Sequence, residues 1–167
     1  LFAYTGGATC AASYAGAEEV CHVDASKGMV AWAKENAELS GLSNNKIRYI
    51  VDDCFKFVQR EIRRGNKYDA VIMDPPSYGR GPNGEIWKFE EELTKLLKLT
   101  SQVLSDEPLF LLLNSYTTGL SPTAIENMLK LIIVKDKQGS VSSGEIGLPV
   151  KREDLILPCG IYGRWEK

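Results

Sequence analysis

The spacing of apolar positions switches between two periods along the chain, and each switch marks an element. "LFAY" at the start reads as the tail of a strand, "TGG" as a tight turn, and "ATCAASYAGA" as a helix whose Ala-rich face can lie close on a sheet. "EEVCHVD" predicts a second strand ending on Asp24. In "SKGMVAWAKENAELSGL", Ser26 is placed as an N-cap, Met29, Val30, Ala33 and Ala37 recur near helical spacing, and Gly41 stands at the stop. "KIRYIVDD" predicts a third strand, "FKFVQREIRRG" an amphipathic helix closed by Gly65, and "YDAVIMD" a nearly all-apolar fourth strand. After "PPSYGRGPNGE", read as a loop, come the helix "FEEELTKLLKLTSQVL" and a fifth strand, "LFLLLNS". "SPTAIENMLKLII" predicts a helix with Ser121 and Pro122 at its start. "GEIGLPVKREDLILPCGIYGRWE" predicts two strands joined by the charged turn "KRED". Strands separated by helices argue for an α/β fold with a parallel sheet covered on both faces, because each crossover must travel back along the sheet. The last hairpin adds an antiparallel pair. No repeat or linker interrupts the pattern, so residues 1–167 read as one domain. The start inside a strand, without an initiator methionine, suggests that an N-terminal part is absent.

In open α/β sheets ligands sit beyond the carboxyl ends of the strands. Polar residues gather there: Tyr4, Thr5, Gly6 and Gly7 after the first strand, Asp24 and Ser26 after the second, Asp52 and Asp53 after the third, Asp74 after the fourth. The two glycines either admit a ligand to the backbone or merely permit a turn. Asp24 is placed to bridge two ribose hydroxyls, or to cap a helix. Asp53 can accept from an exocyclic amine such as that of adenine, a role compatible with capping the helix that begins near Phe55. Together they suggest an adenosine-containing ligand across strands one to three. NAD favours G-x-G-x-x-G and ATP a P-loop ending in Gly-Lys-Ser/Thr, and the chain has neither motif. S-adenosylmethionine has no phosphates and needs neither.

Composition narrows the picture further. Ordinary apolar and charged fractions over 167 residues read as a globular domain with a substantial core. A net charge of −2 advertises no basic field for nucleic acid, so any such contact rests on a local patch. Cys10, Cys21, Cys54 and Cys159 stand far apart with no CxxC pair, which argues against a zinc site and favours buried free thiols in a reducing cytoplasm. No stretch approaches the roughly 18 apolar residues of a membrane span.

The ordered set "FAYTGG", "VDAS", "DDCFKFV" and "DPPSYGRG" resembles the class I S-adenosylmethionine-dependent methyltransferases, in particular the bacterial ribosomal-RNA large-subunit cytosine/guanine methyltransferase group, and "LPCGIYGRW" is similar to that group's last strand. The resemblance implies a Rossmann-like, seven-stranded, mostly parallel sheet of order 3-2-1-4-5-7-6, with the last strand antiparallel and helices on both faces. It implies S-adenosylmethionine as cofactor, S-adenosylhomocysteine as product and ribosomal RNA as the favoured substrate. Carried onto this chain, Phe2, Tyr4, Thr5 and Gly6 would surround the methionine and ribose portions, with Gly7 beside them. Asp24 would hold the ribose hydroxyls with Ser26 nearby, and Asp53, Cys54 and Phe55 would frame the adenine. Asp74, Pro75 and Pro76 would face the transferable methyl group.

An exocyclic base amine has its lone pair delocalised into the ring, and acceptors that engage its N–H groups make the nitrogen more nucleophilic. The Asp74 carboxylate and Pro75 carbonyl can supply them, and Tyr78 offers a ring to a base taken out of its stack. The alternative, methylation of cytosine C5, needs a cysteine thiolate beside the base, and neither "DPPSY" nor "LNSYTTG" has one. Cys159 is the remaining nominee, read instead as a small buried residue beside Gly160. An NAD-binding dehydrogenase and a non-catalytic RNA-binding domain are the rivals from other classes. The glycine spacing opposes the first, and the acids at three strand ends oppose the second. His22 and the tryptophans Trp87 and Trp165 read as packing residues, "REIRRGNK" as an exposed basic helix face, and Arg80 and Lys88 as solvated loop cations. "YTTG" and Asn114 border the acceptor side.

Overall fold

The structure, a computed structural model, describes residues 1–80 and 86–167. The chain forms two compact units, residues 1–60 and 61–167.

In the first unit α1 (Gly7–Tyr14), β1 (Val20–Asp24), α2 (Lys27–Leu39) and β2 (Ile47–Val51) precede α3 (Cys54–Arg64), which runs on into the second. β1 and β2 pair in parallel from Val20↔Ile47 to Asp24↔Val51. Ser26 caps α2, its hydroxyl accepting the Met29 N–H, and Val30, Ala33 and Ala37 form the buried stripe that the spacing predicts. "LFAY" is not a strand. Phe2 (φ 52°) and Tyr4 (φ 47°) adopt left-handed backbone, which a pleated strand cannot accommodate, and a single bond from the Ala3 N–H to the Val23 carbonyl (3.1 Å) is what remains of the expected pairing.

The second unit holds β3 (Ala70–Met73), β4 (Tyr78–Arg80), β5 (Ile86–Lys88), α4 (Phe89–Gln102), β6 (Phe110–Ser115), α5 (Pro122–Leu129), a π-helical turn at Lys130–Val134, α6 (Lys135–Lys137), β7 (Ser140–Pro149) and β8 (Ile156–Glu166). Its main sheet has the order β3-β6-β8-β7. β3 and β6 are parallel, and β8 runs antiparallel to both β6 and β7. This mixed sheet, helices between its strands, is the Rossmann-like arrangement expected, with the terminal hairpin supplying the antiparallel pair. Leu111 and Leu113 of β6 are fully buried, as are Leu93, Leu96 and Leu97 of α4 and Trp165 of β8. Each such side chain contributes about 1.5–3 kcal/mol by leaving water.

Three expectations change here. The stretch after Asp74 is not all loop, since β4 and β5 pair as a hairpin from Tyr78↔Lys88 to Arg80↔Ile86. Residues 81–85 of that stretch, and the Arg80 side chain, lie outside the described residues. "REIRRGNK" is not merely an exposed basic face. Glu61 within it is fully buried, accepting from Tyr68 Oη (2.6 Å), Asn66 Nδ2 (2.8 Å) and Arg64 (3.0 Å). Nor are all four thiols buried. Cys54 is, Cys10 and Cys21 are partly so, and Cys159 is exposed. The register of β7 against β8 shifts where Ile146 pairs Gly160 and Gly147 pairs Pro158, leaving Cys159 as the bulged residue without a cross-strand partner.

Candidate active site

Within residues 1–60, three segments converge on Asp24. Its Oδ2 accepts the Tyr4 N–H and its Oδ1 the Ser26 N–H, both at 2.9 Å. Each carboxylate oxygen keeps a further lone pair, so the group is held in place by the backbone while remaining able to accept from two adjacent hydroxyls. The Tyr4 N–H reaches Asp24 because the loop is wound through left-handed positions at Phe2, Tyr4 and Gly6 (φ 87°). For non-glycine residues that conformation costs about 1–2 kcal/mol each. Strain of this kind clusters where function requires it. Three bonds oppose the strain: Phe2 N–H to Cys54 Sγ (3.2 Å), Ala3 N–H to the Val23 carbonyl, and Asn36 Nδ2 to the Thr5 carbonyl (2.9 Å).

The two glycines have different surroundings. A Cβ on Gly6 would lie 2.9 Å from Ala33 Cβ, so the room beside Gly6 is taken by α2 rather than left for a ligand. A Cβ on Gly7 would meet nothing within 4 Å, and this exposed residue is the one that faces open space. Asp53 caps α3, its Oδ1 accepting the Lys56 N–H (2.9 Å). Cys54 is buried, and desolvation pushes its thiol up to about 11, so it stays protonated. Its sulfur ties Phe2 to β1, leaving to Cys54 a backbone role toward any ligand. Phe55 is half-buried at the start of α3. His22 is buried against Thr9 Oγ1 (2.9 Å), and desolvation lowers its pKa, which makes it a neutral link between α1 and β1.

Within residues 61–167, Met73 ends β3 opposite Leu113 of β6, and Asp74 follows. Asp74 Oδ1 is buried and has no hydrogen-bond partner among the described residues. Burial raises the affinity of this carboxyl for a proton. The two prolines contribute no N–H, so the turn presents acceptors. Those acceptors are treated unequally. The Pro76 carbonyl accepts the Trp87 indole N–H, the Ser77 carbonyl accepts the Phe89 N–H (3.1 Å), and the Ser77 hydroxyl accepts from Thr117 Oγ1 (3.0 Å). The Pro75 carbonyl accepts no hydrogen bond among the described residues. Asp74 and Pro75 therefore offer adjacent acceptors on a turn clamped from both sides. Tyr78, on β4, is 51% exposed.

Trp87 joins this site although the sequence reads it as a packing residue, whereas Tyr116 and Thr117 belong to the "YTTG" expected to border the acceptor side. A tryptophan between an unassigned loop and a helix has no period to read, and the Thr117 hydroxyl finds Ser77 only through the pairing of β3 with β6. Tyr116 is 56% exposed, and its phenol pKa is raised first by burial and then by the Asp74 charge. Lys88 pairs with Glu91 at 2.7 Å. A depression of about 420 Å³ lies between the C-terminal ends of α3 and α4, at the other end of β3 from Asp74. Its lysines are engaged by carbonyls, Lys67 by Gln102 (2.7 Å) and Lys137 by Ser105 (3.0 Å), so it holds no comparable chemistry.

The sequence family described as S-adenosylmethionine-dependent methyltransferase matches residues 1–119. The chain is 34% identical over 106 residues to the ribosomal RNA large subunit methyltransferase K/L of Shewanella frigidimarina, covering 63% of this chain and 15% of that protein. It is 38% identical over 77 residues to the ribosomal RNA large subunit methyltransferase I of Klebsiella pneumoniae, covering 46% of this chain and 19% of that protein. Among solved structures, a SAM-dependent methyltransferase from Agrobacterium tumefaciens superposes with a TM-score of 0.92 at 40% identity, over 99% of this chain and 54% of the other. Magnesium protoporphyrin IX methyltransferase from Synechocystis, with bound SAM, shares the fold alone, at a TM-score of 0.62 and 17% identity. The chain thus spans less than a fifth of the length of the two curated relatives. Among the described residues no helix is long and apolar enough to cross a membrane.

Proposed function

Since this chain belongs to the S-adenosylmethionine-dependent methyltransferase family, we propose that it methylates the exocyclic amine of an RNA base, with ribosomal RNA as the substrate. The observation that carries this reading is the buried Asp74 Oδ1, which with the adjoining Pro75 carbonyl has no hydrogen-bond partner among the described residues. Two neighbouring acceptors match the two N–H groups of an amine, and a buried acceptor without a donor costs about 1–3 kcal/mol until one arrives. The names of the curated relatives support RNA as the acceptor.

The cofactor supplies a methyl group on a sulfonium, with no phosphate to cradle. The residues around Asp24 fit that ligand: a fixed diol acceptor, an open glycine at Gly7, and a loop without lysine or arginine. In this assignment Asp24 takes the ribose hydroxyls with Ser26 nearby, and Asp53 with the Cys54 backbone and Phe55 frames the adenine. Phe2, Tyr4, Thr5, Gly6 and Gly7 line the methionine side. Asp74 and Pro75 orient the acceptor nitrogen, Pro76 and Trp87 hold the turn rigid, and Tyr78 stacks on the base. As the N–C bond forms, the S–C bond breaks with its electron pair remaining on sulfur. The nitrogen then gives up one proton, and Asp74, whose proton affinity burial has raised, receives it. Positioning supplies most of the acceleration in such a displacement. A C5 reaction would need a thiolate, and the segments after β3 and β6 contain no cysteine.

The proposal extends to the sheet. β1 with β2 corresponds to the 3-2 part, and β3-β6-β8-β7 to the 4-5-7-6 part, of a seven-stranded order 3-2-1-4-5-7-6. Residues 1–167 would then be the catalytic domain of a longer cytoplasmic protein. The test is calorimetric titration with S-adenosylhomocysteine, with NAD as control, followed by nucleoside mass spectrometry of ribosomal RNA from a strain lacking the gene. Binding of the first compound and loss of one methylated base amine are expected. A lost C5-methylcytosine, or an unchanged RNA, would overturn the assignment of the acceptor.

A further inference from the structure

Tyr116 and Tyr78 occupy matching places. Tyr78 follows Ser77 on the turn after β3, and Tyr116 precedes Thr117 in the segment after β6. The Ser77 and Thr117 hydroxyls are bonded to each other at 3.0 Å, so the two segments are fastened one residue from each ring. The Thr117 N–H is itself held by Ser115 Oγ (3.1 Å). The β3–β6 register, Met73 opposite Leu113, sets Asp74 on the strand end next to the one that leads into Tyr116. Burial and then the Asp74 charge raise the Tyr116 phenol pKa, in keeping with their proximity. Both rings are about half exposed, 51% and 56%, although each stands beside a packed strand end. The path of the second segment depends on β8. At Gly160 (φ 142°) a Cβ would come within 2.6 Å of the Ser115 carbonyl and 3.5 Å of Tyr116 Cα, so only a glycine lets the chain pass as it does.

We propose that Tyr116 is the second stacking wall of the acceptor site, so that with Tyr78 it selects a planar heteroaromatic amine, a nucleobase out of its helix, over a flexible aliphatic amine. The inference rests on the amine-methyltransferase reading above and adds to it the specificity of the acceptor. Two exposed rings on rigidly joined segments gain stacking energy from any flat base, whereas an alkylammonium or lysine chain has no face to present. The buried Asp74 acceptor, at the end of β3, then meets the amine edge of the same base.

The test uses the full-length protein, methyl-labelled S-adenosylmethionine, and as acceptors large-subunit ribosomal RNA and total protein from cells lacking the gene. Tyr116→Phe keeps the ring and should hold kcat/KM within about threefold of the parent. Tyr116→Leu keeps bulk without the face and should raise KM for RNA about tenfold or more, with kcat changed less. S-adenosylhomocysteine affinity and Tm of both variants should match the parent, which separates acceptor stacking from folding. If RNA is methylated and Tyr116→Leu performs like Tyr116→Phe, the second wall is wrong while the base-amine reading stands. If label enters protein rather than RNA, or neither pool accepts it from a preparation that binds S-adenosylhomocysteine, both fall.

Discussion

Asp24 ends β1 and Asp74 follows β3, yet the two units treat them differently. In residues 1–60 both Asp24 oxygens accept backbone N–H groups at 2.9 Å, and Asp53 is likewise engaged as a helix cap. In residues 61–167 Asp74 keeps a buried oxygen without a donor among the described residues, on a turn whose Pro76 and Ser77 carbonyls are bonded. The first arrangement keeps its geometry whether or not a ligand is present. The second carries a cost of about 1–3 kcal/mol that a donor from outside can relieve. Fixed acceptors suit a cofactor that every turnover shares, and an unrelieved one suits the reactant whose N–H groups must be drawn toward reaction.

Removing the difference at Asp74 should have the largest effect. Asp74→Asn should lower turnover by about 100-fold or more, the scale of a lost acid–base group, with S-adenosylhomocysteine affinity nearly intact by calorimetry. A variant that turns over normally would remove Asp74 from the acceptor site. The same substitution should also reshape stability. Burial raises the folded-state pKa of Asp74, so between its ordinary and its raised value the folded protein retains a proton that the unfolded chain has lost. Stability from this group is therefore present at low pH and declines as pH rises through that window. Asp74→Asn should be more stable than the parent at neutral pH, and the gap should close below the ordinary carboxylate range. Urea unfolding at a series of pH values measures it, and a gap independent of pH would refute the linkage.

Asp24→Ala should come next. It removes two acceptors and strands the Tyr4 and Ser26 N–H groups, and S-adenosylhomocysteine binding should weaken by about 1.5–3 kcal/mol, or roughly 10- to 160-fold. Unchanged affinity would mean that Asp24 only organises the loop. The smallest effect concerns Gly6. Gly6→Ala puts a methyl 2.9 Å from Ala33 at a left-handed residue, and unfolding free energy should fall by about 1–2 kcal/mol. If the midpoint does not move, α2 yields and Gly6 is not a packing constraint.

Much of this molecule is legible in periodicity. α2 shows its buried stripe at Val30, Ala33 and Ala37, and its cap at Ser26, because a helix records its packing face every three to four residues. β6 is legible as a short, continuous apolar run, and the β7–β8 pair through the charged turn between its strands. The opening "LFAY" misleads, since apolar residues also occur where φ is positive, and composition does not report the sign of a dihedral. The β4–β5 hairpin is hidden because its three-residue strands are too short to establish an alternation.

The sequence by itself determined where candidate groups for the chemistry are placed: acids at strand ends, a turn stripped of N–H donors, and the absence of phosphate-binding motifs. These follow from residue type and order alone. Tertiary structure decided which acceptors remain open. Whether Asp24 accepts the Tyr4 N–H, whether Trp87 occupies the Pro76 carbonyl, and whether Tyr116 lies near Asp74 depend on partners distant in sequence. A hydrogen bond is a relation between positions in space, and no local pattern along the chain encodes it.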